Sequence, residues 1–500
     1  MGSHDAPRAP RRQVSGIGGL DTVLDGGFFQ GGIYIVSGPP GVGKTILGNQ
    51  TCFRHVAAGG RALYVTLLAE THAQMLSYMR SLEFFDGKQV GNTLRYLSAY
   101  KVIEEEGLDG LLKLLRGAVR EHRSTLLVID GMLTAETLAE SQLAYKKFVH
   151  HLQTWVGVVG CTVLLLTSTP SDLGTRVLPA HTMVDGILEL RAVPLGARVV
   201  RTLAVVKFRG SAYREGFHTY RITGGGLHVF PRLETLPPTT GSRARPDDRL
   251  PTGIAGLDRI LGGGYPVGSA TLVLGSGGTG KTLLALHFLD DAARHGEPAI
   301  FFGFFEKPDV LREKGRRLGL LSGRGKKPVD IVWQPPYEAL LDELAERLLD
   351  HVAQVRATRV VIDGLVGFKE AVDHPPRLGG FFSALRHELA ARGVTTLVTE
   401  ETSGLTAREL EVPTPGVAAV FDNLIFLRQV EERGRLARLI SVMKSRDTDH
   451  DDALRELRIT SRGVVIGEPH PPDDHAAASL PLRQGADFER PRPRPKRDGH

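Results

Sequence analysis

The chain has 500 residues, a length that favours two domains because a single hydrophobic core usually stops growing at about 250–300 residues. Hydrophobic residues make up 41% and charged residues 24%, proportions that exclude wholesale disorder and a fibrous class. The net charge of +6 permits contact with polyanions, but the two signs are interspersed along the chain, so we attribute the excess mainly to solvated surface.

Cysteine usage and hydropathy favour a cytoplasmic protein. Cys52 and Cys161 are the two cysteines, too few for a disulfide framework or a zinc site. No apolar run reaches the roughly 18–20 residues that span a bilayer, so we expect no membrane segment. The polar and basic residues 1–13 have no apolar h-region, and we expect them to form a disordered leader.

An internal repeat organises the rest of the sequence. Matched residues in the two halves are 237 positions apart over some thirty residues without a gap, and they include Ser15–Asp21 with Thr252–Asp258, Gly26-Gly27 with Gly263-Gly264, and Gly43-Lys44-Thr45 with Gly280-Lys281-Thr282. A constant offset of this kind predicts duplicated domains. We place them at 14–231 and 250–465, joined by a Pro/Gly/Ser-rich linker at 232–249 and followed by a disordered Pro/Arg-rich tail at 466–500.

Short Val/Ile/Leu runs alternate with helical patterns in both halves. Runs of this type are typical of strands that are buried on both faces, and they therefore predict an α/β fold with a mostly parallel sheet flanked by helices in each half. The predicted strands are Gly32–Val36, Ala62–Val65, Leu126–Ile129 and Thr162–Leu166, then Ala270–Leu274, Ala299–Phe302, Val360–Ile362 and Thr395–Val398.

Each half carries a glycine-rich loop between a predicted strand and a predicted helix. Residues 38–45 and 275–282 both fit G-x-x-x-x-G-K-[ST], the P-loop pattern, in which backbone N–H groups surround phosphate oxygens at a helix N-terminus. The pattern predicts ATP and Mg²⁺ as cofactors, with the lysines on the β/γ-phosphates and the threonines on the metal. The predicted nucleotide-binding residues are Gly38, Gly41, Gly43, Lys44 and Thr45, and Gly275, Gly278, Gly280, Lys281 and Thr282.

Carboxylates at strand ends complete each predicted site. Asp130 and Asp363 end apolar runs and are the predicted Mg²⁺ partners of Thr45 and Thr282, although an aspartate at a strand end is often only a turn former. Glu70 and Glu306 follow the second strand of each half and are candidates to orient the attacking water. The alternative for these two is an acid that stabilises a helix N-terminus.

These features resemble the KaiC family, duplicated RecA-type ATPases known from the cyanobacterial clock. The resemblance rests on G-I-x-G-L-D, the two P-loops and the I-D-G strands, and it covers about residues 14–465. It implies two tandem RecA-like P-loop NTPase domains in a ring, typically a homo-hexamer. It also implies that the K-x-R pairs Lys207/Arg209 and Lys444/Arg446 act catalytically in trans, reaching the γ-phosphate bound by a neighbouring subunit.

The departures from that family concern phosphorylation. Clock-type members have two adjacent glutamates after the second strand, whereas Ala69 and Phe305 stand at the first of these places. Their adjacent Ser-Thr acceptor pair is also missing, because Ala418 and Ala419 precede Asp422 in the corresponding segment. Alanine has no hydroxyl group that could receive a phosphoryl group.

The sequence therefore favours a slow, ring-forming ATPase that signals to protein partners through its nucleotide state. A serine/threonine autokinase with relocated acceptors stays open as an alternative, as does a scaffold that binds nucleotide and barely hydrolyses it. A DNA-dependent RecA-type recombination motor is a further alternative. It is less favoured because the chain shows no aromatic-and-basic stretch of the type that binds single strands.

Overall fold

The structure is a computed structural model that describes residues 11–68, 72–168, 182–241, 248–321, 328–335, 337, 339–402, 416–432, 435–446, 450–451 and 453–470. Two compact units divide the chain between Leu236 and Pro237, within the predicted linker. Each unit contains a nine-stranded sheet with helices packed against it. None of the helices described is both long and apolar enough to cross a membrane.

The first unit alternates strands and helices over most of its length. Its strands are β1 (Arg12–Gln13), β2 (Phe28–Phe29), β3 (Ile33–Gly38), β4 (Ala62–Thr66), β5 (Leu94–Ser98), β6 (Leu126–Asp130), β7 (Thr162–Ser168), β8 (Gly186–Leu195), β9 (Arg198–Phe208), β10 (His218–Thr223) and β11 (Gly226–Phe230). Its helices are α1 (Leu20–Val23), α2 (Lys44–Ala57), α3 (His72–Met79), α4 (Tyr100–His122), α5 (Met132–Thr137) and α6 (Gln142–Val159), followed by a 3₁₀ turn at Leu233–Thr235.

The large sheet of this unit runs in the order β5-β4-β6-β7-β3-β8-β9-β10-β11. The strands from β5 to β8 are parallel, and β9, β10 and β11 extend the sheet as antiparallel strands. Side chains of the central strands alternate between two buried clusters, so that Tyr64 and Val128 face α2 while Leu63 and Ile129 face α4 and α6. Burial on both faces explains the nearly continuous apolar runs in the sequence.

The second unit repeats this order of elements. Its strands are β12 (Arg249–Leu250), β13 (Tyr265–Pro266), β14 (Ala270–Gly275), β15 (Ala299–Gly303), β16 (Asp330–Trp333), β17 (Arg359–Asp363), β18 (Thr395–Glu401), β19 (Asn423–Glu432), β20 (Arg435–Ser445), β21 (Arg455–Thr460) and β22 (Gly463–Pro469). Its helices are α7 (Ala255–Ile260), α8 (Lys281–His295), α9 (Pro308–Arg317), α10 (Leu341–Val355), α11 (Val366–Ala371), α12 (Leu378–Ala391) and α13 (Val417–Val420), with a 3₁₀ turn at Pro375–Arg377.

The second sheet has the order β16-β15-β17-β18-β14-β19-β20-β21-β22, which matches the first sheet strand for strand. In both, the strand before the P-loop lies centrally, with a parallel strand on each side, β7 and β8 in the first sheet and β18 and β19 in the second. The predicted fold class, two tandem α/β domains with mostly parallel sheets, is confirmed, and each predicted strand forms. Ligands of such sheets bind at the carboxyl ends of the strands.

Structure extends beyond the predicted boundaries in three places. Arg12–Gln13, assigned to the disordered leader, pairs with Phe28–Phe29, and β22 continues to Pro469, past the predicted domain end at 465. Within the predicted linker, the Thr239 hydroxyl donates a 2.6 Å hydrogen bond to Glu388 of α12. Short polar segments of this kind are ordered by hydrogen bonds to a distant partner, which local composition does not reveal.

Candidate functional site

The first P-loop connects β3 to α2. Gly43, immediately before the helix, has φ = 100°, and a Cβ atom there would lie 2.4 Å from Ile222 Cδ1. Glycine is therefore required on grounds of both backbone conformation and space. This conformation starts α2 at Lys44, so the free N–H groups of the first helical turn lie beside the loop.

Lys44 folds back over this loop. Its Nζ donates hydrogen bonds of 2.8 Å to the Gly38 carbonyl and 2.9 Å to the Pro39 carbonyl. Burial lowers the pKa of Lys44, and the nearby Asp130 carboxylate opposes that shift. The lysine thus caps the loop with a buried positive charge that a phosphate group could neutralise.

The structure brings Thr45 and Asp130 together. The Thr45 hydroxyl donates a 2.8 Å hydrogen bond to Asp130 Oδ2, although the two residues are far apart in the chain. Tyr64 OH donates a second bond of 2.8 Å to the same oxygen. A hydroxyl and a carboxylate at this distance are hard oxygen donors of the type that Mg²⁺ prefers.

The second P-loop repeats the lysine geometry. Lys281 Nζ donates bonds of 2.7 Å to the Gly275 carbonyl and 2.8 Å to the Ser276 carbonyl, and Gly280 has φ = 107° before α8. Burial lowers the pKa of Lys281, while Glu401 and Asp363 oppose the shift. The two lysines therefore have the same partners at equivalent positions of the two loops.

The predicted metal-site carboxylate of the second unit, Asp363, is held differently. Thr282 Oγ1 lies 3.3 Å from Asp363 Oδ2, and Thr399 Oγ1 donates a 2.7 Å bond to Asp363 Oδ1. Burial raises the pKa of Asp363, the Thr399 bond lowers it, and the Glu306 carboxylate raises it. Asp363 and Glu306 therefore interact electrostatically within one site.

A cleft of about 730 Å³ opens over the second P-loop. Its walls include Lys281, Glu306, Lys314 and Asp363, together with the apolar ring of Phe305, which is 61% exposed. Lys314 Nζ donates a 2.7 Å bond to Glu306 Oε1, and Glu306 Oε2 is buried without a hydrogen-bond partner among the described residues. Both signs of charge thus line a space next to the phosphate loop.

One of the two candidate water-orienting residues, Glu306, lies in the described part of the chain, beyond the end of its strand. β4 ends at Thr66 and β15 ends at Gly303, so Glu306 lies three residues beyond its strand, in the connection to α9. The connection is one residue longer in the first half, from Thr66 to His72, than in the second, from Gly303 to Pro308. Ala69 and Glu70 lie outside the described residues.

In each unit the K-x-R pair lies near the start of the central strand, whereas the P-loop follows the other end of that strand. Arg209 N donates a 2.7 Å bond to the Asp185 carbonyl, and Asp185 Oδ2 accepts a bond from Ile33 N at the start of β3. Arg446 and Asp422 repeat this arrangement at the start of β14. A strand of six residues separates each pair from its own P-loop by about 17 Å.

Each pair is closely associated with nearby backbone oxygens. Lys207 Nζ and Arg209 Nη2 both donate to the Thr182 carbonyl, at 3.2 and 2.7 Å, and Lys444 Nζ donates to the Phe421 carbonyl at 2.6 Å. The pKa of Lys207 is lowered by burial and then by the adjacent Arg209 guanidinium, and the pKa of Lys444 is lowered in the same way. The cations are therefore concentrated at this end of each sheet.

Sequence reasoning missed three side chains that contact the predicted ones: Tyr64 and Thr399 hydrogen-bond the two aspartates, and Lys314 hydrogen-bonds Glu306. It also missed the ion pair between Lys369 and Glu400 in the same cleft. A tyrosine or threonine inside an apolar strand is normally interpreted as core. The hydroxyl of Thr399, immediately after the predicted run Thr395–Val398, was the available signal.

No group of three or more His, Cys, Asp or Glu side chains that could hold a metal ion by itself occurs in the described part of the chain. A metal at either site would consequently need oxygens from the nucleotide and from water in addition to one threonine and one aspartate. The donor set fits Mg²⁺, which keeps several waters and binds through one or two carboxylates plus phosphate.

Comparison with known proteins agrees with this geometry. A family model described as "ATPase: KaiC" matches the chain twice, at residues 14–234 and 250–471. A circadian clock oscillator protein KaiC from Picosynechococcus sp. is 25% identical over 94% of this chain and 92% of its own length. The KaiC of Synechococcus elongatus is 25% identical, covering 90% and 88%, and KaiC 1 of Synechocystis sp. is 24% identical, covering 97% and 96%. With two matched P-loop sites in two matched sheets, the chain belongs to the KaiC family of P-loop ATPases.

Proposed function

We propose that the chain binds ATP with Mg²⁺ at both P-loops and hydrolyses it slowly. The observation that supports this most directly is the lysine, threonine and aspartate arrangement, which recurs at the same sheet position in both units. Lys44 and Lys281 cover their loops from the same side, and Thr45 lies 2.8 Å from Asp130. Backbone N–H groups of the loops would bind the phosphates, and the lysines would neutralise their charge.

Bound Mg²⁺ would neutralise charge between the β- and γ-phosphates. We assign its protein partners as Thr45 with Asp130, and Thr282 with Asp363. Glu306 would orient the attacking water in the second site, since its Oε2 is buried without a partner among the described residues and Asp363 is near enough to interact with it electrostatically. We assign the corresponding role in the first site to Glu70, the carboxylate that follows β4 in the sequence as Glu306 follows β15.

The active form that we propose is a ring, most simply a homo-hexamer. Lys207, Arg209, Lys444 and Arg446 lie about 17 Å from the P-loops of their own units, too far for a direct phosphate contact. A head-to-tail ring would place this end of one subunit against the P-loop of its neighbour. A guanidinium there would stabilise the charge that develops in the transition state.

The output that we propose is a change of conformation with nucleotide state, read by protein partners in the cytoplasm, without autophosphorylation. Phe305 presents an apolar ring to the second cleft and cannot accept a proton. Ala418 and Ala419 lie in the short helix α13, and neither has a hydroxyl group to phosphorylate. Stable transfer of label from γ-labelled ATP to the protein would instead favour the autokinase.

Nucleotide binding to the two loops tests the proposal. We expect Lys44→Ala to abolish one of two binding events in calorimetry, Lys281→Ala to abolish the other, and the double variant to bind neither ATP nor ADP. Lys101→Ala, on α4 and outside both sites, is the matched control and should bind as the parent does. The proposal fails if the folded double variant keeps the parent affinity.

A further inference from the structure

In the two units, side chains on different strands hydrogen-bond the metal-site aspartate. In the paired registers, Asp130 lies opposite Leu166 and Asp363 lies opposite Thr399, so Leu166 and Thr399 occupy equivalent positions. On the other side, Tyr64 lies opposite Val128 and Phe301 lies opposite Val361, so Tyr64 and Phe301 are likewise equivalent.

One hydroxyl group reaches the aspartate from a neighbouring strand in each unit. Tyr64 OH donates to Asp130 from β4 at 2.8 Å, and Thr399 Oγ1 donates to Asp363 from β18 at 2.7 Å. The residue on the opposite side, Leu166 in the first unit or Phe301 in the second, has no group to donate. The halves therefore have complementary pairs, Tyr/Leu and Phe/Thr.

We propose that Tyr64 in the first unit and Thr399 in the second are positioning residues with the same task. Each fixes the metal-site aspartate of its own unit for Mg²⁺. This inference rests on the proposed function, because it concerns the same two sites. It assigns one task to two side chains of different shape on different strands.

The hydroxyl groups of Tyr64 and Thr399 are buried, so each needs a hydrogen-bond partner. Tyr64 is fully buried and Thr399 is 2% exposed, and a buried hydroxyl without a partner costs about 1–3 kcal/mol. Phenylalanine and leucine, which fill the equivalent positions in the other unit, would pack there without that cost. A hydroxyl retained on one side of each aspartate is thus best explained by the bond that it donates.

The bonds restrain more than the carboxylate. Asp130 Oδ2 accepts from both Tyr64 and Thr45, so the tyrosine fixes the aspartate relative to the threonine of the P-loop. Thr399 Oγ1 accepts a 2.9 Å bond from Gly364 N while it donates to Asp363, which ties the aspartate to the chain that follows it. Partners that orient metal ligands typically change metal affinity by about 10–100-fold when removed.

Mg²⁺ titration of nucleotide binding tests the first unit. In a Lys281→Ala background, the affinity for a fluorescent ADP analogue is measured with and without Mg²⁺. Tyr64→Phe should weaken the apparent Mg²⁺ affinity about 10–100-fold and leave the Mg²⁺-free nucleotide affinity unchanged. Tyr96→Phe is the matched control: its hydroxyl donates a 2.7 Å bond to Asn49 instead of an aspartate, so its Mg²⁺ dependence should equal that of the parent.

Exchanging the Tyr/Leu pair for a Phe/Thr pair should rescue the Mg²⁺ affinity. A variant that merely loosened the core would show no such rescue. Adding Leu166→Thr to Tyr64→Phe gives the first unit the arrangement of the second, and it should restore much of the Mg²⁺ affinity. In the second unit, read in a Lys44→Ala background, Thr399→Ser should keep the parent Mg²⁺ dependence while Thr399→Val loses it. If a Tyr64 variant does not fold, the comparison of Thr399→Ser with Thr399→Val still tests the inference.

Unchanged Mg²⁺ affinity in Tyr64→Phe and Thr399→Val would overturn the inference. An equal loss in Tyr64→Phe and Tyr96→Phe would overturn it as well, because packing alone would then explain the effect. Both results are distinct from failure of the proposed function, in which the Lys44→Ala/Lys281→Ala variant would continue to bind nucleotide.

Discussion

Lys314 Nζ donates a 2.7 Å hydrogen bond to Oε1 of Glu306, joining the body of α9 to the residue that we assign as water-orienting. The lysine ammonium competes with a water molecule for this carboxylate oxygen. The pair is partly exposed, with side-chain exposures of 38% and 29%. Its interaction free energy is therefore about 1 kcal/mol or less. Removal of the lysine should therefore have a modest effect with a definite sign.

Lys314→Met should raise both kinetic constants of the second site, kcat and KM. Read in a Lys44→Ala background, kcat should rise by up to about fivefold because Glu306 Oε1 becomes available to the attacking water. KM for ATP should rise as well, since the cleft loses a positive charge. Steady-state phosphate release measures both constants, and Lys307→Met is the control because Lys307 Nζ lies over the Trp333 ring instead. A fall in kcat with KM unchanged would show that Lys314 acts directly on the transition state.

The fold could be predicted because both of its signals are visible in the sequence itself. Parallel strands buried on two faces give apolar runs, such as Leu126–Asp130, and the duplication repeats the order of the strands. Domain edges were less predictable. Gln13 and Thr239 are ordered by partners at Phe28 and Glu388, and polar composition there resembles that of a disordered segment.

The site could be predicted in part for a related reason. Lys44, Thr45 and Asp130 belong to patterns in which residue type and spacing are both restricted by phosphate and metal chemistry. Tyr64 and Thr399 belong to no such pattern, because any hydroxyl that reaches the aspartate suffices and the strand that supplies it differs between the units. Their role becomes visible only when strand registers are compared.

Asp363→Asn should stabilise the nucleotide-free second unit at neutral pH. Burial raises the pKa of Asp363, so the folded unit holds the ionised form less well than the unfolded chain does. Stability from this group is fully present below its unfolded pKa and falls as the pH rises through the raised folded pKa. Asparagine lacks this charge and can still accept the bond from Thr399.

Scanning calorimetry between pH 4 and pH 7.5 measures this effect. The unfolding temperature of Asp363→Asn should exceed that of the parent at pH 7.5, and the gap should close towards pH 4. Asp309→Asn is the control: Asp309 is fully exposed and its 3.7 Å pair with Arg312 is screened by solvent, so its replacement should change the unfolding temperature little. A constant gap at every pH would mean that packing, and not charge, accounts for the difference.

Mixing two inactive variants should restore ATPase activity if the K-x-R pairs act between subunits. One variant lacks both P-loop lysines, Lys44→Ala/Lys281→Ala, and the other lacks both arginines, Arg209→Ala/Arg446→Ala. Within one chain, the six residues of β3 separate Arg209 from its own P-loop, so neither variant can repair itself. A mixed ring brings an intact loop against an intact arginine at some interfaces.

Random assembly at equal amounts puts a chain with intact loops beside a neighbour with intact arginines, in the productive order, at about a quarter of the interfaces. Phosphate release should accordingly reach about a quarter of the parent rate when the variants are mixed before assembly. It should stay at background when rings formed separately are combined and do not exchange subunits. If particle-mass measurements prove that mixed rings form and turnover nevertheless stays at background, the arginines do not act in trans, and charge at the far end of each sheet must serve assembly alone.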